Sequence, residues 1–153
     1  MIVFRLSKLK FASDLSGKGA EKSGGRWNSK GTALVYTSES RALCTTEIAV
    51  HTPLGNLPAD YRLISIEIPD DIPLKELAIS ELPEGWNSIP HSQSTRAIGD
   101  KFVTDNKFLV LKVPSVVVPG EYNYLLNPNH KEFTKVKIKT IEPFNFDERL
   151  FIR

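Results

Sequence analysis

The hydrophobic positions of this chain fall into short runs with two different periods. Strict alternation marks Leu63 to Ile68, where Ile64, Ile66 and Ile68 face one way and Ser65 and Glu67 the other. It recurs over Lys135 to Ile141, with Val136 and Ile138 inward and the lysines outward. Thr32 to Thr37 (TALVYT) and Phe108 to Val113 read as further strands, the second apolar enough to be buried. Val116 to Val118 is expected to continue as extended chain between Pro114 and Pro119, and Leu74 to Leu82 to add a short element. Helical spacing occurs twice. Ser38 is expected to cap the first helix, with Glu39 in its first turn and an end near His51, before Pro53. Ser94 to Asn106 predicts the second, with Ala97, Ile98, Phe102 and Val103 on one side. Phe144, Phe146, Leu150, Phe151 and Ile152 form a terminal apolar segment expected to close the sheet. Several strands with two or three helices predict an α+β fold with a mixed, largely antiparallel or split sheet.

Composition narrows the class without naming a function. A length of 153 residues suits one domain spanning 1–153, because two cores of half that size would each be unusually small. Twenty Lys and Arg against eighteen Asp and Glu give a formal charge of +2, too balanced to mark a nucleic-acid binder. No apolar run approaches the roughly 18–20 residues that cross a bilayer. The N-terminal MIVF meets Arg5 too soon for a secretory signal. A lone cysteine, Cys44, excludes an internal disulfide and a multi-cysteine metal site, and His51, His91 and His130 lack ligand spacing, so no metal is expected. The expected compartment is the cytoplasm.

Candidate chemistry concentrates on a few residues. Glu47 shares a helical face with Leu43 and Val50, with Cys44 and Ile48 beside it. A carboxylate amid an apolar stripe is costly to bury without a partner or a task. On the helix alone, a salt bridge to an arginine or a side chain reaching out at the stripe's edge is the more frequent explanation. Ser16 to Gly31 is polar, glycine-rich and offers little to bury; it contains Arg26 in GGRWN. Glycines admit a close ligand, and an arginine fork suits phosphate or carboxylate. Trp27 is a candidate for stacking on a ring, or else core; Tyr36 ends a strand where sheets often meet a ligand. Ser115, the lone polar residue in VPSVVVP, is placed to bond a ligand or its own backbone. Asn123 and Asn127 in NYLLNP read chiefly as turn signals.

Taken together these segments resemble a known family, the RES-domain toxins of bacterial toxin–antitoxin pairs. The resemblance begins with FRL around Arg5 and GKGA from Gly17, and continues through GGRWNSKGTALVYTSES from Gly24 to Ser40. It runs on through the helix carrying Glu47 and ends in VPSVVVPGEYNYLLNPNH, from Val113 to His130. The arginine, glutamate and serine that name the family match Arg26, Glu47 and Ser115; Tyr36 falls on the family's strand tyrosine and Arg5 on its first arginine. Leu6 departs from relatives that carry an aromatic there. The resemblance implies a fold similar to ADP-ribosyltransferase toxins and a chain that degrades NAD by hydrolysis or phosphorolysis. NAD is then a substrate and no cofactor is implied. Two alternatives remain open: protein mono-ADP-ribosylation in the same pocket, and a non-catalytic domain that binds only its antitoxin. Glu47, Arg26 and Ser115 are implied as catalytic, and Arg5, Arg26, Trp27, Tyr36, Ser115 and Asn123 as NAD-binding. The implied partner is an Xre-type antitoxin that contacts DNA, so the chain itself binds no nucleic acid and no membrane; its oligomeric state is left open.

Overall fold

The computed structural model describes residues 1–152 and contains seven strands and three α-helices. In chain order these are β1 (Ile2–Lys8), α1 (Lys18–Ser23), β2 (Val35–Ser38), α2 (Arg41–His51), β3 (Tyr61–Glu67), β4 (Leu74–Glu76), α3 (Gln93–Asp105), β5 (Val110–Pro114), β6 (Tyr122–Leu126) and β7 (Lys137–Phe144). They form one sheet in the order β4-β5-β6-β2-β1-β3-β7, antiparallel except for the β4–β5 pair. The α+β reading with a mixed, largely antiparallel sheet describes this architecture.

Register and the two-residue period of a strand sort the side chains onto two faces. Phe4 pairs with Ser38, Ser38 with Asn123 and Asn123 with Val113, so Leu6, Tyr36, Leu125 and Leu111 share their face. Both long helices pack there. Cys44, Ile48 and Ala49 of α2 meet Leu6, Leu63, Phe146 and Phe151, while Phe102, Ile98 and Val103 of α3 meet Trp27, Leu34, Leu111 and Leu125. On the other face Val3, Val35, Ile64, Ile66 and Leu126 are covered by irregular chain through Ala12, Ile72 and Phe133. The alternation seen in Ile64, Ile66 and Ile68 is therefore real, and it points to this second core.

β1 runs alongside β3 from Ile2 to Lys8, but meets β2 at Phe4↔Ser38 alone. Beyond that pair the sheet opens. The split lies next to the candidate residues.

Several local expectations are corrected. Ser38 is a strand residue, and the cap of α2 is Ser40, whose Oγ accepts from the Leu43 amide at 3.0 Å. Glu39 precedes the helix, and its carboxylate accepts from the Tyr122 amide at 2.9 Å. Val50 is 57% exposed, because the packed side of α2 near its end is carried by Ile48 and Ala49. Val116 to Val118 is a tight bend, not extended chain, with the Ser115 hydroxyl accepting from the Val117 and Val118 amides. Asn123 lies within a central strand, and the turn begins at Asn127. The glycine-rich segment carries α1 and buries Trp27 and Asn28. Leu150 and Ile152 are exposed, so the terminal segment packs through Phe146 and Phe151, whose rings meet edge to face at 5.4 Å.

Candidate active site

Glu47 lies two turns into α2, and its side chain is 26% exposed. Its Oε1 accepts from Asn123 Nδ2 at 2.9 Å, and the Oδ1 of the same amide accepts from Ser38 Oγ at 3.0 Å. Helix and strand thus meet through a polar chain: Ser38 at the end of β2, Asn123 on β6, Glu47 above. Cys44, one turn earlier, lies under this chain; burial, offset in part by a bond to Ser38, pushes its thiol up to about 11. His51 Nε2 stands 4.0 Å from Glu47 Oε2 on the exposed side.

Arg26, in the glycine-rich loop, makes no ion pair with this carboxylate but lies within reach of its charge. Burial lowers its pKa, and the Glu47 charge and then the Tyr36 hydroxyl oppose that shift. Its Nη1 donates to the carbonyls of Trp86 at 2.9 Å and Ser88 at 3.0 Å. The Nε and Nη2 hydrogens of the fork remain for a ligand. His91, in the loop before α3, has its pKa held below the ordinary value by burial, then by the charges of Arg26 and Arg96. Arg26 thus lies within electrostatic reach of both Glu47 and His91.

The loop bearing Arg26 is clamped to α3. Arg96 Nε donates to the Gly25 carbonyl at 3.2 Å, and the Ser29 amide donates to Asp100 Oδ1 at 2.8 Å. Gly99 permits the contact, since a Cβ there would stand 1.6 Å from the Trp27 carbonyl oxygen. Asn28, fully buried, donates through Nδ2 to the carbonyls of Ala20 and Thr32 and accepts through Oδ1 from the Tyr36 hydroxyl at 2.6 Å. The Trp27 amide donates to that hydroxyl at 3.1 Å, and burial drives the Tyr36 pKa upward. Tyr36 is therefore neutral at physiological pH and ties the loop to β2.

Trp27 is corrected from stacking platform to core residue. Its indole is 3% exposed and packs with Leu34, Phe102 and Leu111, which leaves no ring face for a ligand. Asn123 has both ends of its amide engaged within the protein. Ser115, 4% exposed, accepts two backbone amides, and its hydroxyl proton has no acceptor among the described residues.

Arg5 belongs to the opposite face of the sheet from Tyr36, since it pairs with Ile64. The opening between β1 and β2 nevertheless lets the two side chains line one cavity of about 100 Å³, with Asp14, Gly17 and Lys18 at its wall. Arg5 donates to the Asp14 carbonyl, and burial lowers its pKa. A larger hollow of about 420 Å³ between Lys8, Leu9, Lys10 and Asp60 contains none of the candidate residues and is set aside for that reason. The residues that sequence reasoning missed are Ser38, His91, Arg96, Gly99 and Asp100. No helix among the described residues is long and apolar enough to cross a membrane, and these residues contain no cluster of three or more His, Cys, Asp or Glu side chains fit to hold a metal ion.

A carboxylate held on a sheet-docked helix, within reach of an arginine's charge, suits a site that handles an anionic substrate through a cationic reacting centre. Comparison with known proteins gives the class. The RES domain family model matches residues 2–147, and the chain belongs to that family. It is 39% identical over 145 residues to the Prs ADP-ribosylating toxin of Sphingobium sp. (strain YBL2), covering 91% of this chain and 88% of that one. It is 37% identical over 153 residues to Toxin Res of Pseudomonas putida, covering 99% and 100% of the two. Toxin Res of Photorhabdus laumondii is 39% identical over 153 residues, with 98% and 97% covered. In fold the chain is similar to a chain of the M. tuberculosis MbcT–MbcA toxin–antitoxin complex, with a TM-score of 0.75, 18% identity, and 98% and 86% of the two chains covered.

Proposed function

We propose that this chain is the toxin of a toxin–antitoxin pair and that it consumes NAD by breaking the nicotinamide–ribose bond. The observation that carries the reading is the Glu47 carboxylate, partly exposed, held by Asn123 and within reach of the Arg26 charge. As the bond from ribose C1′ to the nicotinamide nitrogen breaks, both electrons leave with the ring and the ribose becomes oxocarbenium-like. The leaving group is cationic beforehand and neutral afterwards, so it needs no general acid. A single preorganised carboxylate is then enough to stabilise the developing positive charge. Water or phosphate attacks C1′ and sheds its proton to solvent or a nearby base. The free Nε and Nη2 hydrogens of Arg26 bond pyrophosphate oxygens, and Arg5 supplies a second cation across the split sheet. The 100 Å³ cavity has room for a phosphate- or ribose-sized group, so the rest of the dinucleotide lies in the open cleft. The Ser115 hydroxyl, its proton unused, donates to the ribose or the amide.

The family membership and the toxin relatives support this reading, and one of them favours a second acceptor. The Sphingobium relative is an ADP-ribosylating toxin, so transfer of ADP-ribose to a protein in the same pocket is the alternative. The partner is an antitoxin of Xre type that covers the cleft, and the chain acts in the cytoplasm. Purified, antitoxin-free protein is to be incubated with NAD, with and without phosphate and with cell protein, and the products identified by mass. Free ADP-ribose or its 1″-phosphate is the expected product, and labelled protein alone would install the alternative. NAD left intact under every condition would leave only the antitoxin-binding reading.

A further inference from the structure

Asn123 cannot reorient its amide without losing a bond. Its Oδ1 accepts from Ser38 Oγ at 3.0 Å, which turns the Nδ2 donor onto Glu47 Oε1 at 2.9 Å. Ser38 is held in turn by β2, where it pairs directly with Asn123 on β6 and with Phe4 on β1. This places Ser38 at the one residue pair joining the two halves of the sheet. Glu47 receives no other hydrogen bond among the described residues, so with α2 seated through Cys44, Ile48 and Ala49 it is the side chain's own torsions that the amide fixes. We propose that Ser38 and Asn123 are positioning residues for Glu47: the Ser38 hydroxyl fixes the Asn123 amide, and the amide fixes the carboxylate in its catalytic orientation.

The proposal rests on the reading of Glu47 as the group that stabilises the ribose cation, and it reassigns Asn123 from binding NAD to orienting that group. A hydrogen bond to a charged acceptor is worth enough to hold one rotamer of a side chain that is otherwise free on one side. The charged and titratable groups within reach of Glu47 are Arg26 from the glycine-rich loop and His51 and Cys44 on its own helix. None of them donates a hydrogen bond to it, so none replaces the amide.

The test combines kinetics with a spectroscopic readout that does not depend on turnover. NAD consumption and NAD binding are measured for wild type, Asn123→Ala, Asn123→Asp, Ser38→Ala and Ser38→Thr. In parallel, the side-chain amide protons of Asn123, assigned through Asn123→Ala, are followed by NMR in wild type, Ser38→Ala, Ser38→Thr and Glu47→Ala. Asn123→Ala should lower kcat about tenfold to a hundredfold with KM and NAD affinity within about twofold. Asn123→Asp should lower it further, because a carboxylate in that place repels Glu47 instead of donating to it. Glu47→Ala should shift the Asn123 amide protons upfield, since their acceptor is gone. Ser38→Ala should show a smaller shift and a smaller loss of kcat, and Ser38→Thr, which keeps the hydroxyl, should restore both. A raised KM with kcat intact would return Asn123 to NAD binding and overturn the proposal. So would an Asn123 amide signal unmoved by Glu47→Ala, whatever the rates. An amide signal that moves as described, in a protein that never consumes NAD, would uphold the hydrogen-bonded hold on Glu47 and defeat the NAD reading instead.

Discussion

Two regions meet at the cleft, and they are built in opposite ways. The glycine-rich loop from Gly24 to Ser29 is fastened to α3 and β2 at Gly25, Trp27, Asn28 and Ser29, so most of a segment that reads as a binding motif serves architecture. The Glu47 turn of α2 is seated by Cys44, Ile48 and Ala49, but its carboxylate is held by one amide and stays partly open to solvent. In the rigid region Arg26 is anchored through Nη1, and its Nε and Nη2 hydrogens have no acceptor among the described residues. The lightly held carboxylate is the group to which the proposed function assigns the charge that matters at bond breaking. In this chain the dense glycine-rich motif chiefly reports how tightly its loop is packed.

The sharpest way to break that comparison is Gly99→Ala. The new Cβ would stand 1.6 Å from the Trp27 carbonyl, backbone against backbone, so loop and helix must separate. A loss of about 4 kcal/mol or more is expected by urea unfolding. A loss under about 1 kcal/mol would show that the loop is not clamped. Glu47→Gln comes next and should reverse the pattern. NAD turnover should fall by roughly a hundredfold or more, about what one preorganised electrostatic group contributes. The melting temperature should hold or rise slightly, because a half-buried charge is removed. Retained turnover with a lowered melting temperature would make Glu47 a structural residue.

Tyr36→Phe tests the tie between the two regions. It strips partners from Asn28 Oδ1 and the Trp27 amide, both well inside the protein, and should lower stability by about 1–3 kcal/mol. The smallest effect is expected at His91, whose pKa lies below the ordinary 6.5 because of burial and then Arg26 and Arg96. A histidine depressed by folding binds fewer protons in the native chain than in the unfolded one. Its contribution is therefore full above about 6.5 and declines as pH falls from there toward the lower native value. His91→Gln should flatten the acid side of a plot of melting temperature against pH, and an unchanged slope would take His91 out of reach of the Arg26 and Arg96 charges.

Legibility in the sequence followed the range of the interactions. The alternation of Ile64, Ile66 and Ile68 and the end of α2 at His51 depend on neighbours in the chain, and both could be read. The cap of α2 was displaced from Ser38 to Ser40, because both are good caps and only the β2–β6 pairing keeps Ser38 in the strand. β6 was hidden because its asparagine and the following Asn127–Pro128 read as turns, although flanking strands bury Leu125 and Leu126 on it. Glu47 stood out as a carboxylate in an apolar stripe. Its partner Asn123, 76 residues away, carried no signal of partnership, nor did Gly99, Asp100 or Arg96, whose roles exist only once α3 lies against the loop.

The single rung between Phe4 and Ser38 has a consequence in terms of motion. Parting β1 from β3 means breaking a ladder that runs the length of both strands, whereas parting β1 from β2 means breaking one pair. The softest deformation of the sheet thus widens the cavity that Arg5 and Tyr36 line. Thermal breathing along that seam lets solvent reach the cavity's inner wall while the longer β1–β3 seam stays closed, and exchange of the amide hydrogens there reports how often the seam opens.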